Sequence, residues 1–191
     1  GPVDEDYPYG SSNLYGATKI AGEVLLLSYD RLYSTDYISL RYPQVYGAGH
    51  YRGGSIGGEY FDELVRNPWA GKPALVRKFV GGTNEYLYAK DVAQAVVKSF
   101  MTSKLEHRIF NIGTGVVSHV NDVIAIVKRH FPNAQYEFEP GAESVRGYRT
   151  QPYNLERART ELGYEPEWDL ERGIADYIKE LERTAPVLGR A

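Results

Sequence analysis

The 191-residue chain is 42% hydrophobic and 25% charged, a composition that suits a globular chain of one or two domains with a real core. It contains no cysteine, so disulfides, thiolate zinc sites and cysteine nucleophiles are excluded, and redox chemistry has to come from a cofactor. Twenty-two Lys and Arg against 25 Asp and Glu leave a net charge of −3, which argues against a binder of nucleic-acid phosphates. Apolar runs such as Val24 to Leu27 are far shorter than the roughly 20 residues of a membrane span. Residues 1–10 are acidic and proline-bearing, unlike a signal peptide, so a soluble, cytoplasmic protein is expected.

Residues 1–12 carry turn formers and acids without an apolar period, and read as an exposed loop. From Leu14 to about Tyr33, Ile20, Val24, Leu27 and Leu32 fall near helical spacing, with Ser12 or Asn13 available as N-cap. The run from Ala21 to Leu27 is apolar around most of its circumference, which predicts burial on two sides, against a sheet and against a second subunit. Asp36 to Tyr42 alternates and is β-rich, a strand ending at Pro43. Glycines crowd residues 47–58, and a helical pattern returns from Tyr60 to Arg66. Short β-like segments at 74–80 and 85–89 precede a helix from Lys90 to Met101, whose Val92, Ala93, Val96, Val97 and Phe100 form one stripe. A strand is expected at Arg108 to Ile112, broken by Gly113-Thr114-Gly115, then a helix over Val120 to Phe131 and a strand over Gln135 to Glu139. Helices over Leu155 to Leu162 and Leu170 to Arg183 close the chain. This alternation predicts an α/β fold rather than a bundle or a sandwich.

The chemistry-bearing constellation stands at the start of the first helix. Tyr15 and Lys19 are spaced i and i+4, on one helix face. A phenol, with an ordinary pKa of about 10, is a poor acid or base at pH 7, but a neighbouring ammonium favours its ionised form. Such a pair can exchange a proton with a substrate hydroxyl while hydride passes to a nicotinamide. With 17 Tyr and 8 Lys in 191 positions, chance alone gives about 0.7 such pairs, and spacing by itself leaves an ordinary surface pair open. The chain holds a second match, Tyr86 and Lys90, across an expected strand-to-helix junction where the two would not share a face. The four histidines, His50, His107, His119 and His130, lack metal-ligand spacing, and no metal is expected.

Ser11 to Glu23, containing Tyr15-Gly16-Ala17-Thr18-Lys19, strongly resembles the active-site helix of the extended short-chain dehydrogenase/reductases, the nucleotide-sugar epimerase and dehydratase family. Further similarities follow in order. Arg41-Tyr42-Pro43-Gln44-Val45-Tyr46-Gly47 resembles the family's Arg-x-x-Asn-Val-Tyr-Gly strand end, and Tyr86 to Ala93 resembles its Phe-Val-Tyr-Val-x-Asp-Val-Ala segment. Asn111 to Gly115 is similar to its Asn-Ile-Gly-x-Gly turn, and Leu162-Gly163-Tyr164-Glu165-Pro166 to its Leu-Gly-Trp/Tyr-x-Pro stretch. The resemblance implies that Tyr15 is the catalytic acid/base, that Lys19 is its partner and ribose ligand, and that Pro43 and Val45 lie against the nicotinamide end of NAD or NADP. A structural strand terminus remains the other reading of Pro43 and Val45, and a tight glycine turn is preferred for Asn111 to Gly115. It further implies a nucleotide-activated sugar as substrate and a homodimer through helix 14–33.

Two kinds of departure stand out. Family members begin with a strand and a Gly-x-x-Gly-x-x-Gly turn that hold the dinucleotide pyrophosphate. Neither that turn nor the family's upstream Ser or Thr has a counterpart before Tyr15. The expected fold is therefore the C-terminal part of a Rossmann-like extended reductase, with the N-terminal dinucleotide-binding half absent and a small α/β substrate-binding lobe. As a single α/β unit, residues 1–47 would form the catalytic-helix and strand portion. Residues 48–191 would be mostly substrate lobe, with segments returning to the sheet. In the substrate region, Gln44 replaces the usual Asn, keeping the amide one methylene further out. Asn84 stands where a diphosphate-binding arginine is common. Arg146 and Arg149 are candidates to supply that charge, with a solvated basic loop as their other reading. The expected activity is that of an NAD(P)-dependent epimerase or dehydratase of UDP-glucose 4-epimerase type. The alternatives are an inactive structural or dimerisation module and a dinucleotide-sensing relative.

Overall fold

The first helix, α1 (Leu14–Tyr33), matches the span expected from its spacing. The computed structural model describes residues 1–10, 13–49, 55–142 and 150–188. Asn13 caps α1, its Oδ1 accepting from the Gly16 N–H at 2.8 Å. The helix ends at Ser34, whose left-handed φ of 53° lets its N–H reach the Asp30 carbonyl. No α1 residue is buried, so the two-sided burial expected from its composition does not occur within this chain.

The expected strand over 36–42 is shorter and continues beyond the proline as a second piece. β1 (Ser39–Arg41) and β2 (Gln44–Tyr46) flank Pro43, which has no N–H to extend a ladder. On one side of it β1 runs parallel to β6 (Ile109–Asn111). On the other, β2 runs parallel to β5 (Tyr86–Tyr88). β3 (Ala74–Val76) pairs in parallel with β8 (Tyr136–Phe138). β4 (Thr83–Asn84) pairs antiparallel with β7 (Ser118–His119). β4 and β7 went unforeseen because two residues are too few to carry a period.

Helix α2 (Ile56–Trp69) begins earlier than its apolar pattern suggested. Ser55 is the cap, and Gly57 and Gly58 in the first turn hide the start. A Cβ at Gly57 would meet the Gln44 amide and the Phe79 ring, so the glycine lets both side chains lie close where α2 sits on β2. Helix α3 (Ala89–Met101) turns most of its apolar stripe outward. Its buried face is Asp91, Ala95 and Ser99, whereas Val96, Val97 and Phe100 point outward. The Asp91 carboxylate sets this phase. Its Oδ1 accepts from the Glu167 N–H at 2.9 Å and its Oδ2 from the Trp168 N–H at 3.2 Å, so it must face inward. Burial raises its pKa, and those two N–H groups oppose the rise.

Helix α4 (Val120–His130), a π-helical turn at Ala158–Leu162 and helix α5 (Leu170–Leu188) complete the chain. One core gathers Phe61 and Leu64 of α2, Val76 of β3, Val123 of α4 and Ile174 and Tyr177 of α5. A second gathers Leu87, Phe110, Ile112, Leu155, Leu162 and Tyr164 under the β1–β6 pair. Between them lies Glu85, wholly buried. Its Oε1 accepts from the N–H groups of Thr114 at 2.8 Å and Gly115 at 2.9 Å, and its Oε2 from that of Tyr153 at 2.8 Å. In Glu85→Gln one acceptor oxygen becomes an NH2 facing a backbone N–H. The variant is expected to lose about 1–3 kcal/mol of unfolding free energy, measured by urea denaturation. Tyr164→Phe, which removes the 2.8 Å donation to the Gly113 carbonyl, is expected to cost about 1 kcal/mol in the same assay.

Candidate active site

Tyr15 is the second residue of α1 and is 67% exposed. Lys19, one turn on, holds its Nζ 5.1 Å from the centroid of the Tyr15 ring, so a cation and a phenol stand together at the open start of the helix. The first turn that carries them is fixed by the Asn13 cap.

Because α1 buries nothing, polar contacts attach it to the body. The Glu23 carboxylate accepts from Arg41 Nε at 2.9 Å on Oε1 and from Arg41 Nη2 at 2.7 Å on Oε2, a two-pronged ion pair between α1 and β1. Tyr9 Oη donates to Glu23 Oε2 at 2.6 Å and accepts from Arg41 Nη2 at 2.8 Å, and Ser39 Oγ donates to Glu23 Oε1 at 3.2 Å. Burial pushes the Glu23 carboxyl up, but the hydrogen bonds and charge of Arg41, with Tyr9 and Ser39, outweigh it and hold the group below its ordinary value.

Pro43 marks the point where the chain exchanges β6 for β5 as its partner. Such changes of partner in parallel sheets open crevices at strand ends. Val45 is half-buried against the second core. The Gln44 side chain lies against Gly57, and its Nε2 reaches the Val45 carbonyl only at 3.4 Å. Asn84 is 4% exposed, and its Oδ1 accepts from the Glu85 N–H at 3.0 Å, so its amide serves its own turn. Arg146, Arg149, His50 and the alternative cap Ser12 lie outside the described residues. The second Tyr/Lys match falls apart in space. Tyr86 is buried in β5, while Lys90, in α3, pairs with Asp176 at 2.6 Å.

A cleft of about 440 Å³ was not foreseen. It is lined by Tyr60, Arg77, Lys78, Phe79 and Glu139. Arg77 and Lys78 directly follow β3, and Glu139 directly follows β8, so the cleft sits at the C-terminal ends of a parallel pair. The Arg77 guanidinium lies 4.8 Å from the Tyr60 ring centroid, and the Tyr60 and Phe79 rings meet edge to face at 6.3 Å. The run Arg77-Lys78-Phe79 just after a strand was the signal that would have found it. A smaller space of about 270 Å³, lined in part by Tyr46, Gly47, Phe61 and Tyr177, lies at the end of β2.

Residues 1–113 match the NAD dependent epimerase/dehydratase family. The chain belongs to that family. A curated relative from Methanocaldococcus jannaschii is 31% identical over 191 residues, covering 96% of this chain and 59% of its own length. The UDP-glucose 4-epimerase of Mycolicibacterium smegmatis is 30% identical, covering 93% of this chain and 56% of the relative. Among solved structures, a variant UDP-glucuronic acid 4-epimerase from Bacillus cereus, in complex with a UDP-4-deoxy-4-fluoro-glucuronic acid and NAD, matches with a TM-score of 0.78 at 25% identity. That match covers 95% of this chain and 57% of the enzyme. The UDP-glucose 4-epimerase of Thermotoga maritima shares the fold, with a TM-score of 0.75 at 24% identity over 96% of this chain and 58% of that one. The chain thus spans less than three-fifths of the length of these relatives. Among the described residues no helix is long and apolar enough to cross a membrane.

In this epimerase/dehydratase chain the sequence motifs touch one another: Glu23 of the first meets Arg41 of the second, and Tyr164 of the last meets Gly113 of the fourth. The lowered Glu23 pKa gives the first of these a pH dependence. The α1 tether contributes fully above the ordinary carboxylate range and weakens as pH falls through the depressed value. Hydrogen exchange of peptides from 14–33, corrected for intrinsic rates, is expected to speed up as pH drops from 7 towards 3, and this component is expected to be missing in Glu23→Gln.

Proposed function

We propose that this chain is the C-terminal, catalytic and substrate-binding part of an NAD-dependent epimerase or dehydratase that acts on a nucleotide-activated sugar, of the UDP-glucose 4-epimerase kind. The observation that carries this reading is the Tyr15–Lys19 pair, open to solvent at the head of α1 in a region that matches the family. Residues 1–47 are the catalytic-helix portion of a Rossmann-like domain, and residues 48–191 are mainly the substrate lobe.

Three features support an N-terminal half carried elsewhere in a longer protein. The relatives are longer than this chain. β1 has one strand partner, β6, among the described residues. Both α1 and α3 present large apolar side chains to solvent, among them Leu25, Leu32, Val97 and Phe100. The apolar side of α1 also fits the expected homodimer through helix 14–33, with Val24 and Leu27 on it.

The residues present fit one end of NAD. Tyr15 and Lys19 offer a hydroxyl and an ammonium, free of burial, to a nicotinamide ribose, while the glycines with left-handed φ, such as Gly47 and Gly115, belong to turns with no Gly-x-x-Gly-x-x-Gly run. The pyrophosphate contact is therefore assigned to the N-terminal half. When bound, NAD supplies the acceptor and donor of hydride. As a phenolate, Tyr15 Oη would take the proton of the sugar hydroxyl, becoming the neutral phenol as hydride leaves the sugar carbon, and would later return it; the Lys19 ammonium stands opposite the phenolate charge before and after. Arg77 and Lys78 offer cations to the diphosphate, and Tyr60 and Phe79 offer apolar faces to the base, in the cleft at the ends of β3 and β8. This relieves Asn84 of that task, since it is buried; Gln44, Arg146 and Arg149 remain candidates for sugar and phosphate contacts.

In the longer enzyme, Tyr15→Phe is expected to lower sugar oxidation by about 10²–10⁴-fold while NAD still binds; retained turnover would refute the role of Tyr15. Arg77→Ala is expected to raise the KM for the nucleotide sugar about tenfold, the worth of one charge-assisted hydrogen bond. Calorimetry of residues 1–191 with NAD is expected to show no micromolar binding, and such binding would contradict the division between halves. A longer enzyme that binds NAD and sugar nucleotide without turnover would favour the inactive-module reading.

A further inference from the structure

We infer that Glu23, Arg41 and Tyr9 are positioning residues that couple the helix carrying Tyr15 to the strand that ends at Pro43. The inference rests on the reading of Tyr15 as the proton-transfer group. Helices are ordinarily aimed by their buried stripe, and within residues 1–191 α1 has none. Ile20 and Glu23 are among its few half-buried positions. Within this chain the tilt and roll of α1 are left to directional polar contacts, and among the described residues those between its side chains and the body converge on the Glu23 carboxylate, which meets Arg41, Tyr9 and Ser39.

Arg41 presents Nε and Nη2 to the two oxygens of Glu23, a planar fork that fixes orientation as well as distance. Its third nitrogen, Nη1, donates to the Glu5 carbonyl at 2.9 Å, and its guanidinium lies 5.0 Å from the Tyr9 ring centroid. The N-terminal segment that supplies Glu5 and Tyr9 is itself anchored. Glu5 Oε1 accepts from the Asn111 N–H at 2.8 Å, Val3 pairs with Tyr153, and Arg157 Nη2 donates to Asp6 at 2.9 Å. Arg41 sits in β1 opposite Asn111 and two residues before Pro43. One end of the knot is therefore the strand framework, and the other is Glu23, two turns beyond Tyr15.

Proton transfer between a phenol and a sugar hydroxyl tolerates little displacement, and a misplacement of about 1 Å costs about 10²-fold in rate. Loosening the knot should therefore lower kcat and leave substrate binding alone, because the substrate lobe is held by other contacts. Arg41→Lys separates orientation from attachment: it keeps the charge that holds α1 down but gives up the fork.

Two measurements test this. In residues 1–191, hydrogen exchange of peptides from 14–33 is expected to accelerate tenfold or more in Glu23→Gln and less in Tyr9→Phe, with peptides from 120–130 unchanged. The charge swap Glu23→Arg with Arg41→Glu is expected to restore part of the protection. Unchanged exchange in Glu23→Gln, or acceleration spread evenly over the chain, overturns the inference. In the longer enzyme, Arg41→Lys is expected to keep exchange in 14–33 within about threefold of the unsubstituted protein yet lower kcat tenfold or more, with KM within twofold. An unaltered kcat, or a change in KM alone, overturns it. Absence of turnover in the unsubstituted longer enzyme would instead count against the proposed function, and the exchange measurement would still decide whether the knot holds α1.

Discussion

The Glu85 carboxylate lies wholly inside the protein and accepts backbone N–H groups from Thr114, Gly115 and Tyr153. Its own carbonyl accepts from the Gln44 N–H at 3.1 Å. Thr114 and Gly115 follow β6, the partner of β1, while Glu85 itself leads into β5, the partner of β2. One residue therefore ties together the two parallel pairs between which Pro43 passes the chain. Gly113 has to be a glycine for this to work, because a Cβ there would collide with the carboxylate. The position of Pro43, and with it the crevice that the family reading places beside the nicotinamide, depends on that junction. A carboxylate suits the task because it accepts several N–H donors at once, and a neutral amide would turn one of its oxygens into a competing donor.

Carboxylates also organise the rest of the molecule, each in a different way. Asp91 points into the protein from the first turn of α3 and captures the N–H groups of Glu167 and Trp168, which fixes where the C-terminal segment crosses. Glu161, in the π-helical turn, takes the N–H groups of Glu106 and His107, at 2.8 and 3.0 Å, and so closes the loop after α3. Glu23 works at the surface with a cation as partner. Its bond to Arg41 carries the orientation of a helix that has no apolar contact deep enough to do so. Some of the residues by which the chain resembles its family thus bond to one another, Glu23 to Arg41 and Tyr164 to Gly113. Tyr15 and Lys19 instead stand exposed at the head of α1, with the Lys19 ammonium over the Tyr15 ring.

The clefts follow from the same architecture. Parallel strands leave their C-terminal ends facing one way, and the loops that leave β3 and β8 bring Arg77, Lys78 and Glu139 together with the rings of Tyr60 and Phe79. The lining combines two cations, of which Arg77 is paired with Glu63 at 3.5 Å, with the Glu139 carboxylate and two aromatic rings. The agreement in fold with solved epimerases extends over nearly all of this chain and little more than half of theirs. The exposed apolar side chains of α1 and α3 are those that a larger assembly would cover.

Much of this was legible in the linear sequence because it is local. The α1 boundaries follow from the Asn13 cap and a 3.6-residue period; the Tyr15–Lys19 proximity follows from helix geometry; and the break at Pro43 follows from a missing N–H. The separation of Tyr86 from Lys90 was equally readable, since it needs only the strand-to-helix junction at Ala89. Tertiary structure alone decided the rest. Which side of α3 turns inward was not readable from its apolar stripe, because it follows the hydrogen bonds of Asp91 to the N–H groups of Glu167 and Trp168, far along the chain. The start of α2 was hidden by two glycines, one of which, Gly57, lies against the Gln44 side chain only in the folded chain. The role of Glu85, the grip of Arg41 on Glu23 and the Arg77–Lys78 cleft all join residues distant in sequence. No local period or spacing encodes such encounters, because they arise only when the strands have found their partners.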